Sequence, residues 1–165
     1  MNDSLVIRAA RAEDAAAMAR IHVESWRETY RGQMADAVLD DPGFIPRRER
    51  FWSAALTDQR FATHRCAVAE LGGEMVGIAM AGPPQDADAA WPTHLYVLYV
   101  LRAAHGAGAG AGLLAAVTDL TETTALWVAD PNPRAQAFYR KLGFVADGAV
   151  KVEDGVTESR MIRPA

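Results

Sequence analysis

Gly106, Gly108, Gly110 and Gly112 alternate with alanines between His105 and Leu113, and glycine at that density lets a backbone come close to a ligand. Ahead of them, Thr93–Leu101 is apolar, aromatic and β-branched, the composition of a buried strand. Behind them, Leu113, Leu114, Val117 and Leu120 recur at helical spacing. The glycines therefore lie where a strand hands over to a helix N-terminus. The first amides of a helix lack intrahelical acceptors and carry a partial positive charge of roughly half a unit. Such a junction suits a diphosphate.

Three readings compete for it. Gly106, Gly108 and Ala111 satisfy the dinucleotide pattern G-x-G-x-x-G/A, and Leu126–Asp130 supplies a strand ending in an acid. That fingerprint normally opens a long α/β array, whereas here only about fifty residues follow. A flexible Ala/Gly linker would not lead straight into a periodic apolar face. An acyl-CoA diphosphate is the third reading, and it depends on a second segment.

That segment is Asp130–Phe144. Asn132 reads as an N-cap, Pro133 as the first helical residue and Gly143 as the stop, with Ala135, Phe138, Tyr139 and Leu142 on one face. With both segments in view, the chain resembles the GNAT superfamily of acyl-CoA-dependent N-acetyltransferases. The family's diphosphate pattern Q/R-x-x-G-x-G/A maps onto His105–Gly110. Its Asn-x-x-Ala-x-x-Phe-Tyr-x-Lys-x-Gly-Phe segment is matched by Asn132, Ala135, Phe138, Tyr139, Lys141, Gly143 and Phe144. Further upstream, Leu5–Ala10 with Glu13-Asp14 looks like the family's first strand and helix entry. His22–Gly32 is similar to a helix segment of small bacterial members. The chain departs from the pattern at His105, where the family usually has Gln or Arg.

The resemblance implies an α/β (α+β) GNAT fold, a mixed, mostly antiparallel sheet flanked by helices, spanning residues 1–165 as one domain. It implies transfer of the acetyl group of acetyl-CoA to a primary amine, attacked directly in a ternary complex. His105, Gly106, Ala107, Gly108, Ala109, Gly110 and Ala111 would hold the diphosphate. Asn132 and Ala135 would contact the cofactor, and the Val100 backbone would pair with pantetheine. The Leu98 amide would face the oxyanion, and Tyr139 would protonate the departing thiolate. Trp26, Tyr30 and Tyr96 would line the acceptor. His94 falls where several relatives carry a glutamate, which makes it the candidate base.

The amine chemistry explains why a base is useful. An alkylamine with a pKa of about 10.4 is neutral in roughly one molecule in 2,500 at pH 7, a deficit of about 4.6 kcal/mol. A histidine titrating near 6–7 could take the proton, directly or through water. Strand alternation puts His94, Tyr96, Leu98 and Val100 on one face. His22 and Cys66 are lesser candidates, the one near the cleft, the other as an acetyl carrier or a small core residue. Two alternatives stay open: a non-catalytic acetyl-CoA-binding sensor and the dinucleotide-binding module. The acceptor could be a small amine, an amino acid, an antibiotic or a protein N-terminus.

At 165 residues and net charge −4 the chain fits one compact enzyme burying roughly 70% of its unfolded surface. The single cysteine, Cys66, excludes an internal disulfide or Cys-based metal site and fits a reducing, cytoplasmic setting. No metal is expected. No apolar run approaches the ~18 residues of a membrane span. The Asn2-Asp3-Ser4 start lacks the basic flank and apolar core of a signal peptide. Arg47-Arg48-Glu49-Arg50 reads as a solvated helix face rather than a nucleic-acid patch. Homodimers are common among similar proteins.

The positioning elements are legible in outline. Residues 14–30 read as a helix with Ala17, Met18, Ile21, Ser25 and Thr29 along one side, stopped by Gly32, and Pro46 opens a second helix. Arg65–Leu71 and Glu74–Ala81 read as a hairpin about Gly72-Gly73. Ala149–Glu153 and Val156–Ile162 form another about Asp154-Gly155.

Overall fold

The computed structural model describes residues 4–165, so Asn2 and Asp3 lie outside the described residues. Seven strands form one sheet in the order β1-β2-β3-β4-β5-β7-β6. They are β1 (Leu5–Ala9), β2 (Arg65–Leu71), β3 (Glu74–Gly82), β4 (Thr93–Val100), β5 (Thr124–Ala129), β6 (Val145–Glu153) and β7 (Val156–Arg163). The helices are α1 (Ala15–Tyr30), α2 (Asp36–Leu39), α3 (Phe44–Thr57), α4 (Ala109–Val117) and α5 (Pro133–Lys141). Both hairpins form as expected, with Gly72, Gly73 and Gly155 at positive φ in the turns. α2 and the first half of β6 carry no motif in the sequence.

Each sheet face is sealed by its own helices. On one, Leu113, Leu114 and Val117 of α4 and Tyr139 of α5 pack with Leu95, Leu126, Val128 and Met161. On the other, Met18, Ala19 and Ile21 of α1 and Trp52 of α3 cover Val68, Ile78, Met80 and Val97. Two expectations fail at helix ends. Leu120 is 74% exposed because α4 stops at Val117, and Thr29 is exposed on the outer side of α1.

β4 carries the feature that makes a site. Its register with β3 pairs Met80 with Val97 but Ala81 with Leu95, so Tyr96 is an extra, bulged residue. The alternation expected along β4 breaks there: Tyr96, Val97 and Tyr99 pack on the α1 side, whereas Leu98 and Val100 pack on the α4 side. Leu98 and Val100 are thus corrected to the face opposite Tyr96. β4 pairs in parallel with β5 only through Thr93, His94 and Leu95. Beyond Leu95 the two strands part and leave a gap. All the other strand pairings are antiparallel. A dinucleotide fold needs a mostly parallel sheet, so that alternative fails.

Candidate active site

At one mouth of the gap stands the glycine junction. Gly106 and Gly108 adopt φ of +87° and +88°, and Gly108 is the N-cap of α4. A Cβ at Gly106 would meet open space and one at Gly108 only Leu5 at 3.8 Å, so the backbone conformation is what demands glycine here. Gly110 and Gly112 serve packing instead. A Cβ there would stand 3.1 Å from the Phe138 ring and 2.8 Å from Ile7. The first amide of α4 to find its acceptor is that of Gly112, bonded to the Gly108 carbonyl at 3.1 Å. The amides of Ala109, Gly110 and Ala111 therefore end the helix without intrahelical partners, the donor array that a diphosphate requires. Arg102 anchors the preceding turn to α1: its amide reaches Glu28 Oε2 and its guanidinium the Glu28 carbonyl, both at 2.8 Å.

The edge of β4 opens onto the gap. The Leu101 amide bonds the Val76 carbonyl at 2.9 Å, which fixes the alternation at the strand end. Leu101 and Tyr99 turn their polar backbone toward β3, and Leu98 and Val100 turn theirs toward the gap. The Val100 carbonyl is taken by His105, whose Nε2–H donates to it across 2.9 Å. His105 thus braces the loop, and its remaining ring nitrogen, Nδ1, is an acceptor in the neutral tautomer.

α5 closes the other wall. Asn132 caps it, Oδ1 accepting from the Ala135 amide at 3.2 Å, with Pro133 in the first turn. The cap consumes Asn132 Oδ1 and the Ala135 N–H, leaving the Asn132 side-chain NH₂ as a donor. The half-buried Ala135 packs on the α4-side core. Tyr139 is 8% exposed and lies edge-on to Phe138 and Phe144, with centroids 5.3 and 5.6 Å away. Burial, together with the nearby phenols of Tyr99 and Tyr30, raises its pKa above that of an ordinary phenol. Tyr99 and Tyr30 belong to the opposite face, so the Tyr139 hydroxyl senses that face through the gap.

The sequence matches the model of the acetyltransferase (GNAT) family over residues 15–144. The chain belongs to the GNAT family of acetyltransferases. It is 30% identical over 148 residues to a protein of Mycobacterium tuberculosis named as a probable N-acetyltransferase, covering 86% of this chain and 80% of that one. A Bacillus subtilis protein named as an uncharacterized N-acetyltransferase, YuaI, is 26% identical over 134 residues, covering 78% and 74%. The PaiA N-acetyltransferase of Thermoplasma acidophilum, solved in complex with coenzyme A, superposes with a TM-score of 0.73. It is 16% identical and is covered at 99%, against 98% of this chain. The protein is accordingly an acyltransferase.

The α1 face of this acetyltransferase gathers the expected acceptor residues only in part. Trp26 and Tyr30 stack edge-on (5.2 Å) and pack against a small core of Val23, Met34, Leu39, Phe44, Ala129 and Val156. Arg48 lies 5.5 Å above the Trp26 ring and 5.7 Å from that of Phe44. The Arg47–Arg50 run is therefore not wholly solvated: Arg48 is half-buried on aromatics, and Arg47 pairs with Asp41 at 3.0 Å. Tyr96 stands apart from Trp26 and Tyr30. Its hydroxyl donates to the Pro83 carbonyl, and its ring stacks on His94 at 4.7 Å.

His94 and His22 are buried deeper than their sequence positions suggest. His94 is 3% exposed, its Nδ1 has no hydrogen-bond partner, and burial holds its pKa down to about 4 rather than 6–7. It sits where β4 is still paired with β5, opposite Ala125. His22 accepts the Trp52 indole N–H on Nδ1 at 3.2 Å and is held down to about 3, the profile of a core histidine. Burial pushes the Cys66 thiol up to about 11, which leaves it protonated and unsuited to carry an acetyl group.

Two β7 residues carried no motif. Arg160 reaches Asp86, Asp88 and Asp147 at 2.7–3.0 Å and lies 4.8 Å from the Trp91 ring, tying the loop before β4 to the sheet. Glu158 is half-buried two residues from Val156 on the same face. The alternation Val156, Glu158, Arg160 is the one signal that could have flagged them.

Proposed function

We propose that the protein transfers the acetyl group of acetyl-CoA to a primary amine, attacked directly within a ternary complex. The observation that carries this reading is the open edge of β4, which presents the Leu98 and Val100 backbone between the glycine cradle and Tyr139. The amides of Ala109, Gly110 and Ala111 would hold the diphosphate, and Val100 and the Asn132 NH₂ would meet the pantetheine amides. Acetyl-CoA supplies the thioester. The Leu98 N–H can donate to the thioester oxygen as it gains negative charge, a contribution that is large in a cleft without water. Tyr139, protonated throughout the working pH range, donates to the departing thiolate. His94 lies four residues from Leu98, roughly 13 Å along the strand at about 3.3 Å per residue. Buried there and held down to about 4, its ring refuses a proton at neutral pH, so the acceptor's proton leaves to water rather than to His94. Trp26 and Tyr30 would form the aromatic wall beside the acceptor.

Initial-rate kinetics with acetyl-CoA and an amine panel test this reading. Intersecting double-reciprocal lines are expected for the ternary complex. Parallel lines would indicate an acetylated enzyme and overturn direct attack.

A further inference from the structure

Glu158 is an unneutralised carboxylate in a protein that neutralises others of similar depth. Asp14 and Glu70 are held by Arg8, and Asp86 and Asp147 by Arg160, at 2.7–3.0 Å. Among the described residues the Glu158 side chain has no ion pair and no hydrogen bond. Its ladder neighbour on β6 is Lys151, whose charge favours the Glu158 carboxylate, but that ammonium is paired with Glu153 at 3.0 Å and lies 4.7 Å above the Trp127 ring, and burial outweighs it. A half-buried carboxylate with no direct ion pair or hydrogen bond is destabilising unless a cation arrives.

Its place in the fold says where the cation would come from. Glu158 pairs with Ala129, the last residue of β5, well past Leu126, where β5 leaves β4. Extending the parallel register beyond the bulge brings Ala129 level with Leu98 and Tyr99 across the gap. Ala129 and Val156, its neighbours on that face, belong to the core against which Trp26 and Tyr30 pack. Glu158 also lies near enough to the Tyr30 and Tyr99 phenols to oppose their ionisation.

We propose that Glu158 receives the ammonium group of the acceptor on the α1 face of the gap, so that the enzyme selects acceptors that arrive as cations. This rests on the acetyl-CoA reading above. The charged and titratable groups around Glu158 are Lys151 and Glu153 of β6, Asp154 of the β6–β7 turn, Tyr30 of α1 and Tyr99 of β4. Arg48 of α3 acts on Tyr99 and Asp154. Among them only Lys151 and Arg48 are cations, the first committed to Glu153 and Trp127 and the second to its aromatic stack.

Two thioether probes test it without knowledge of the natural acceptor. S-(2-aminoethyl)-CoA places an ammonium beside the position of the thioester carbon, and S-propyl-CoA is its neutral analogue. Calorimetry should show wild type preferring the ammonium probe by about tenfold, as a charge-assisted hydrogen bond gives. Glu158→Gln should bind S-propyl-CoA unchanged and show less than a twofold preference. An equal preference in both proteins, or none in wild type, overturns the proposal. Failure of S-propyl-CoA to bind wild type overturns the acetyl-CoA reading itself, and the inference with it. Should the variant not fold, the wild-type preference is followed from pH 8 to pH 4. It should decline on acidification as Glu158 protonates, and a constant preference over that range overturns the proposal.

Discussion

His105 donates its ring Nε2–H to the carbonyl of Val100 across 2.9 Å. That bond joins the end of β4 to the start of the glycine turn, so the residue that replaces the family's Gln or Arg works on the shape of the cradle. His105→Ala should weaken acetyl-CoA binding by about two- to tenfold, the worth of one hydrogen bond. His105→Arg should tighten binding, since it restores a permanent charge beside the diphosphate. Equal calorimetric affinities for the three proteins would contradict both statements.

Gly108 holds φ +88° at the N-cap of α4, and Gly110 leaves room for the Phe138 ring. Gly108→Ala should cost about 1–2 kcal/mol through backbone strain and lower Tm by several degrees, with a parallel loss of acetyl-CoA affinity. Gly110→Ala must displace Phe138, which is next to Tyr139, so it should reduce kcat as well as Tm. Thermal unfolding with and without acetyl-CoA checks both, and an unchanged Tm in Gly108→Ala would contradict the strain assignment.

Tyr139→Phe removes one hydroxyl from an otherwise unchanged α5. The variant should lose about a hundredfold in kcat while keeping the acetyl-CoA Kd within about twofold. A kcat within threefold of wild type would remove Tyr139 from the mechanism.

Burial holds His94 down to about 4 and His22 to about 3, below the ~6.5 of an unfolded histidine. Between those values the unfolded chain binds protons that the folded chain refuses. The stabilisation from both residues is therefore complete above about pH 6.5 and lost as pH falls toward 4 and then 3. Tm should fall on acidification from pH 7 to pH 4.5, and the His22 and His94 ring signals in NMR spectra should stay neutral down to pH 5. A midpoint near 6.5 for either ring would contradict their burial.

Where a residue's task is written in its neighbours along the chain, the sequence was a sufficient guide. The Gly106–Gly108 turn into α4, the Asn132-Pro133 helix start and the two hairpins are local, and the structure builds them as expected. What escaped depends on contacts distant in sequence. The bulge at Tyr96 is set by register with β3 and sends Leu98 and Val100 to the face opposite Tyr96. The depth of His94 comes from the helices and strands folded around it, so the expected pKa of 6–7 could not survive. Glu158 sits in an ordinary alternating strand and gains its meaning only because β7 lies beside the parted end of β5.

The most direct test of the account is a calorimetric titration of the protein with acetyl-CoA, with NAD as the matched control. The account predicts acetyl-CoA binding with a Kd on the order of micromolar and no heat from NAD. Binding of NAD without binding of acetyl-CoA would contradict it.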